Sequence, residues 1–193
     1  MGFSSSWLLL RNTVAEEACA ALGVRRSGVY TAWPRQPLSG TARPDDSYLV
    51  VEDRSLEMLE DTWDLGLLSL GREIVAAAEI DGAGYGEVSV WRDGRKVWGI
   101  ASPNSSFMPR ISGYDTTEIR ARMAFDEYLE YVESKGWTED SDDWEDDFDE
   151  VDWFNPILRL ASDLTGYICG TPIAAPGKEP FEILVRPSSQ DAG

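Results

Sequence analysis

The chain has 193 residues, with 17 Lys plus Arg against 35 Asp plus Glu and no His, so its formal charge is −18. Lack of an imidazole removes Ser-His and Cys-His nucleophile pairs, HExxH zinc sites and C2H2 fingers, each of which needs a group titrating near neutrality. The carboxylate excess argues against nucleic acid as a partner, because neutralising phosphates takes clustered Lys and Arg.

Apolar residues make up 42 % of the chain and eight tryptophans are present, enough large side chains to offset the entropy of ordering. The length fits one domain over residues 1–187 that contains an acidic segment at 139–152 and ends in a polar tail at 188–193. Cys19 and Cys169 form no CxxC pair and read as free thiols of a reducing compartment. The apolar run Trp7 to Leu10 is too short for a signal peptide or a membrane span, so the expectation is a cytoplasmic protein with no membrane partner. Met1-Gly2 with Ser6 satisfies a myristoylation pattern, but the segment reads more simply as a first strand.

Thr13 and Glu16 form a capping box, and Val14, Ala18, Ala21 and Leu22 follow at helical spacing before Gly23. Residues 25–46 hold Pro34, Pro37, Pro44, Gly28 and Gly40, the composition of a long connection with short extended pieces. Tyr48 to Glu52 is a buried strand. Leu56, Leu59, Trp63 and Leu67 recur with a helical period that stops by Gly71. Arg72 to Ile80 is β-prone. Glu87 to Ile100 reads as a hairpin whose Asp93-Gly94 suits a two-residue type I′ turn. In that register Val90 faces Val97, and Trp91 and Trp98 share the opposite face, as core or as a recognition patch.

Ala101 to Gly113 is irregular. Asp115 can cap a long helix with Ile119, Met123, Phe125, Tyr128, Leu129 and Val132 on one stripe up to Gly136. Asn155, Pro156 and Gly166 delimit a later helix, and Phe181 to Val185 forms a last strand. Strands and helices mix without βαβ alternation, which predicts an α+β fold: a mainly antiparallel sheet with helices packed on one face.

Residues 139–152 carry ten acids and no base, leaving −8 for the remainder. Like charges about 4 Å apart repel by roughly 1 kcal/mol per pair even in water. The acids are interleaved with Trp144, Phe148, Val151, Trp153 and Phe154. Apolar anchors among steering charges are the two ingredients of a fast interface with a basic protein; a solvated acidic loop is the plainer alternative. The candidate contact residues are Asp142, Asp143, Trp144, Glu145, Asp146, Asp147, Phe148 and Asp149. An EF-hand reading fails because Trp144 stands where a ligand belongs and the central Gly is missing. No metal or cofactor is therefore expected. Gly82, Gly84 and Gly86 precede a strand rather than open a helix, so they read as a turn or bulge rather than a phosphate loop.

Taken together, Met1-Gly2-Phe3-Ser4 with Ser6-Trp7, Tyr48-Leu49-Val50-Val51, Glu73-Ile74-Val75-Ala76, Trp91-Arg92-Asp93-Gly94-Arg95, Leu164-Thr165-Gly166-Tyr167 and Phe181-Glu182-Ile183-Leu184 resemble a family of small bacterial proteins of undetermined biochemical function. This chain departs from that pattern at Glu79 to Gly84, where an acidic-histidine stretch is usual, and it lacks the later histidines as well. The resemblance implies bacterial origin and an α+β fold, and supplies no reaction. In composition the chain is similar to immunity proteins that neutralise secreted toxins.

The leading expectation is a non-enzymatic protein that neutralises a basic protein partner, such as a cognate toxin domain. A carboxylate- or metal-dependent hydrolase and a regulatory or scaffold domain with an acidic solubilising loop are the alternatives. Oligomeric state is left open.

Overall fold

Nine antiparallel strands in the order β2-β9-β3-β4-β1-β5-β6-β7-β8 organise the computed structural model, which describes residues 4–34, 38–53, 63–102, 109–123, 130, 133–134, 153–169 and 181–187. The strands are β1 (Ser4–Leu10), β2 (Arg25–Thr31), β3 (Ser39–Ala42), β4 (Tyr48–Asp53), β5 (Glu73–Ile80), β6 (Tyr85–Arg92), β7 (Arg95–Ala101), β8 (Arg110–Ser112) and β9 (Phe181–Val185). Four α-helices accompany them among the described residues: α1 (Ala15–Leu22), α2 (Leu65–Leu68), α3 (Thr117–Arg122) and α4 (Phe154–Thr165).

The central strands are apolar on both faces, which decides the layering. In Trp7-Leu8-Leu9-Leu10, Leu49-Val50-Val51 and Ile74-Val75-Ala76-Ala77-Ala78 every residue is buried. A strand with no polar face needs cover on both sides. One side carries Trp7, Leu9, Leu49, Val51, Val75, Val88, Val90 and Trp98 under Ile119 of α3 and Ile157, Leu160 and Ala161 of α4. The other carries Leu8, Leu10, Tyr48, Val50, Ile74 and Ala76 under Ala18, Cys19 and Leu22 of α1 and Leu65 and Leu68 of α2. The α+β, antiparallel expectation is met in its coarse form, and the placing of all helices on one face is corrected to helices on both.

Gly23 and Gly166 end α1 and α4 in the left-handed conformation at φ 65° and 63°, which costs a residue without a Cβ little. The capping box does not form, because the Thr13 hydroxyl donates to the Arg11 carbonyl at 2.9 Å and Val14 occupies the cap position. Helix α4 starts at Phe154, placing Pro156 inside the first turn, where its missing N–H costs nothing. The long connection after α1 contains two strands, β2 and β3, and the irregular stretch after β7 contains β8. Of the expected long helix after Asp115, the described continuous part is α3, with Asp115 Oδ1 accepting from Thr117 N at 3.2 Å.

The β6–β7 hairpin departs from the expected register in one residue. Arg92 pairs with Arg95 and Trp91 with Lys96, but Val90 pairs with Trp98, leaving Val97 as the extra residue of a β-bulge. A one-residue shift moves every later side chain to the other face. Trp98 therefore lies with Val90 in the α4-side core at 1 % exposure. Trp91 sits on the opposite face, at the margin of the α1-side core. The paired indole face is replaced by one buried and one half-buried ring.

Candidate functional site

The acidic segment, with Asp142, Asp143, Trp144, Glu145, Asp146, Asp147, Phe148 and Asp149, lies outside the described residues. Its flanks are described. On the N-terminal side, α3 places Ile119 in the core at 0 % exposure, and Arg122 reaches back to Glu118 at 2.9 Å along the helix. On the C-terminal side, Trp153 follows Asp152 directly and is 8 % exposed within the α4-side core. Of the aromatics interleaved with the acids, Trp153 is thus a core residue, and Phe154 is half-buried.

Between these flanks α3 and α4 enclose a cleft of about 410 Å³ lined by Arg122, Met123, Trp153, Pro156, Arg159, Leu160 and Asp163. Its floor is apolar and its rim carries two guanidinium groups and one carboxylate. The helix pattern explains the placement: Ile157, Leu160 and Ala161 of α4 point to the sheet, so Pro156, Arg159 and Asp163 fall on the outer side.

A second concavity, of about 330 Å³, lies on the other face of the sheet over β6, β7 and β8. Ser89, Gly99 and Ser112 are paired across the three strands and form its floor. A Cβ at Gly99 would stand 3.2 Å from both Ser112 Oγ and Ser89 Cβ, so glycine keeps that row shallow. Tyr85 donates to Glu87 Oε2 at 2.7 Å and is hydrogen-bonded to Arg110. Burial, followed by the Glu87 carboxylate, pushes the Tyr85 hydroxyl well above its ordinary range. Lys96 Nζ stands 5.0 Å over the Trp91 ring, and the Trp91 indole donates to Ser89 Oγ at 3.1 Å.

Glu182 is 4 % exposed and accepts from Arg26 Nε at 2.6 Å and from Gly28 N at 2.8 Å. That bond to Glu182 raises the Arg26 guanidinium further above its already high value. Glu79 is held above the usual carboxylate range by burial, partly offset by a hydrogen bond with Cys169. Cys19 and Cys169 form no disulfide; they pack against opposite faces of the sheet. Gly82, Gly84 and Gly86 form a 3-10 turn at Asp81–Ala83, a left-handed Gly84, and a close approach of Gly86 to Phe154, Ile157 and Leu158 of α4. This is the turn reading of the three glycines.

Among the described residues no three His, Cys, Asp or Glu side chains come together as a metal site would require. No helix is long and apolar enough to cross a membrane among those residues. The Tyr85, Glu87 and Arg110 cluster was not foreseen, because Arg110 reaches β6 only through the short strand β8. Compared with family models, with curated proteins and with solved structures, the chain matches none.

Proposed function

We propose that this protein is a cytosolic, non-enzymatic binding protein that captures a basic protein partner through residues 139–152, in the manner of an immunity protein facing a toxin domain. The observation that supports this reading is the place of the acidic run in the chain, next to a buried tryptophan. Ten carboxylates are inserted between α3 and α4, and the run ends directly on the buried Trp153. A dense negative charge steers a cationic protein over a Debye length, about 8 Å at physiological salt. Trp144 and Phe148 then supply the apolar anchors that slow release.

The experiment is a pull-down with tagged protein at low and high salt, followed by association kinetics on the protein retained. Neutralising Asp142, Asp143, Asp146 and Asp147 to Asn should slow association and flatten its salt dependence, while Trp144→Ala should chiefly speed dissociation. Unchanged association rates at low salt would sink the proposal.

A further inference from the structure

Three large apolar side chains stand in solvent at one end of the sheet, and they are neighbours. Leu67 is 66 % exposed, Leu70 54 % and Tyr114 57 %. In α2, Leu65 and Leu68 face the core, which turns Leu67 outward. The tip of the β6–β7 hairpin is tied to this helix by Asp93 N to Ser69 O at 2.9 Å and Gly94 N to Ser69 Oγ at 3.1 Å. Leu70 lies against that tip, with its Cδ2 3.2 Å from where a Cβ on Gly94 would stand. The next residue, Arg95, holds its guanidinium 4.9 Å over the Tyr114 ring. Leu67, Leu70, the turn, Arg95 and Tyr114 thus form one continuous surface.

The Tyr-Arg stack brings together two residue types enriched in interaction hot spots, and the solvent-facing leucines beside it extend it as an exposed apolar patch. The charges around them are of both signs: Arg92 and Arg95 against Asp64, Asp93 and Asp115, all exposed. On a chain of −18 this end is close to balanced, so it offers a basic protein little steering. A two-fold interface asks for a patch that complements itself, apolar against apolar and arginine against aspartate.

We propose that this end of the sheet is a homodimer interface, occupied by the same surface of a second copy of the chain. The proposal is independent of the partner assigned to residues 139–152, and salt separates the two. Two copies of a strongly acidic chain repel, and screening relieves that repulsion while leaving apolar contact intact. Self-association should therefore tighten as salt rises, opposite to capture of a basic partner.

Sedimentation equilibrium of the full chain from micromolar to millimolar concentration tests it. The mass should climb from 21.5 kDa toward twice that value, and do so at lower concentration in high salt. Leu67→Asp combined with Leu70→Asp should hold the chain at monomer mass with an unchanged far-UV spectrum, since both side chains are exposed. Arg95→Glu should raise the dissociation constant at least tenfold. A wild-type chain that stays at monomer mass at millimolar concentration, or a dimer indifferent to both variants, would overturn the proposal.

Discussion

The two hairpin tryptophans should respond very differently to truncation. Trp98 is 1 % exposed in the α4-side core, with its indole N–H 3.4 Å from Glu118 Oε2. Removing a fully buried ring of this size forfeits about 200 Å² of burial, which at about 25 cal/mol per Å² is about 5 kcal/mol. Measured Trp→Ala losses in cores run from about 3 to 5 kcal/mol. Trp91 is only half-buried, and its specific contacts are the Lys96 ammonium and the Ser89 hydroxyl. Such a cation–π contact and a neutral hydrogen bond contribute about 1 kcal/mol each at a partly exposed site. Urea titration of Trp91→Ala and Trp98→Ala, followed by far-UV circular dichroism, compares them directly. With the half-burial of Trp91 counted as well, the expected difference is about 1 kcal/mol or more, with Trp98 the costlier loss. Equal losses would refute the unequal burial that the bulge at Val97 gives the two rings.

Gly40→Ala would set a Cβ 2.3 Å from the Tyr48 hydroxyl oxygen, and Gly113→Ala one 2.3 Å from the Val97 carbonyl at φ +116°. Both should lower the thermal midpoint, by the equivalent of at least about 1–3 kcal/mol of overpacking, and a midpoint unchanged in either variant would contradict the packing described. Burial raises the folded-state pKa of Glu79 above its ordinary 4.5, so the folded protein holds a proton that the unfolded chain releases. Stability from this group is present below pH 4.5 and is lost as pH rises through the folded value. Glu79→Gln should remove that decline in pH-resolved urea titrations; a decline that persists unchanged would assign it elsewhere. Cys19 is 5 % exposed and its thiol pKa is raised by burial, whereas Cys169 is half-buried. An aromatic disulfide reagent should reach Cys169 first and Cys19 only on unfolding, and simultaneous reaction would show that α1 does not seal its face of the sheet.

The strands that could be read from sequence are those whose signal is apolar burial: β1, β4, β5, the hairpin arms and β9. Strand β2 escaped because Arg25 to Tyr30 are all exposed, so its pairing with β9 rests on backbone hydrogen bonds and the Arg26–Glu182 ion pair. Strand β3 escaped because Ser39, Gly40 and Thr41 are small, and their burial comes from Tyr48 and β9 lying over and beside them. The Val97 bulge has no local signature; an alternating Val-Trp pattern fits either register until the core chooses one. Two-sided cover was legible in principle from the unbroken apolar runs of β1 and β4. For the candidate site, sequence supplied the charge and the aromatics of residues 139–152, and the structure supplied the burial of Trp153 beside them.

The position of β9 bears on how the chain can be made. It lies between β2 and β3, and its Glu182 pairs with Arg26 from 156 residues away in sequence. On a ribosome β2 and β3 emerge early, yet the strand that joins them is synthesised only after β4 to β8. Through that interval β3 can pair with β4 while its other edge stays open. Contacts of such long range slow folding, and unpaired edges expose an intermediate to aggregation. The bulge between Arg26 and Tyr30 gives β2 an irregular edge, a known guard against premature pairing.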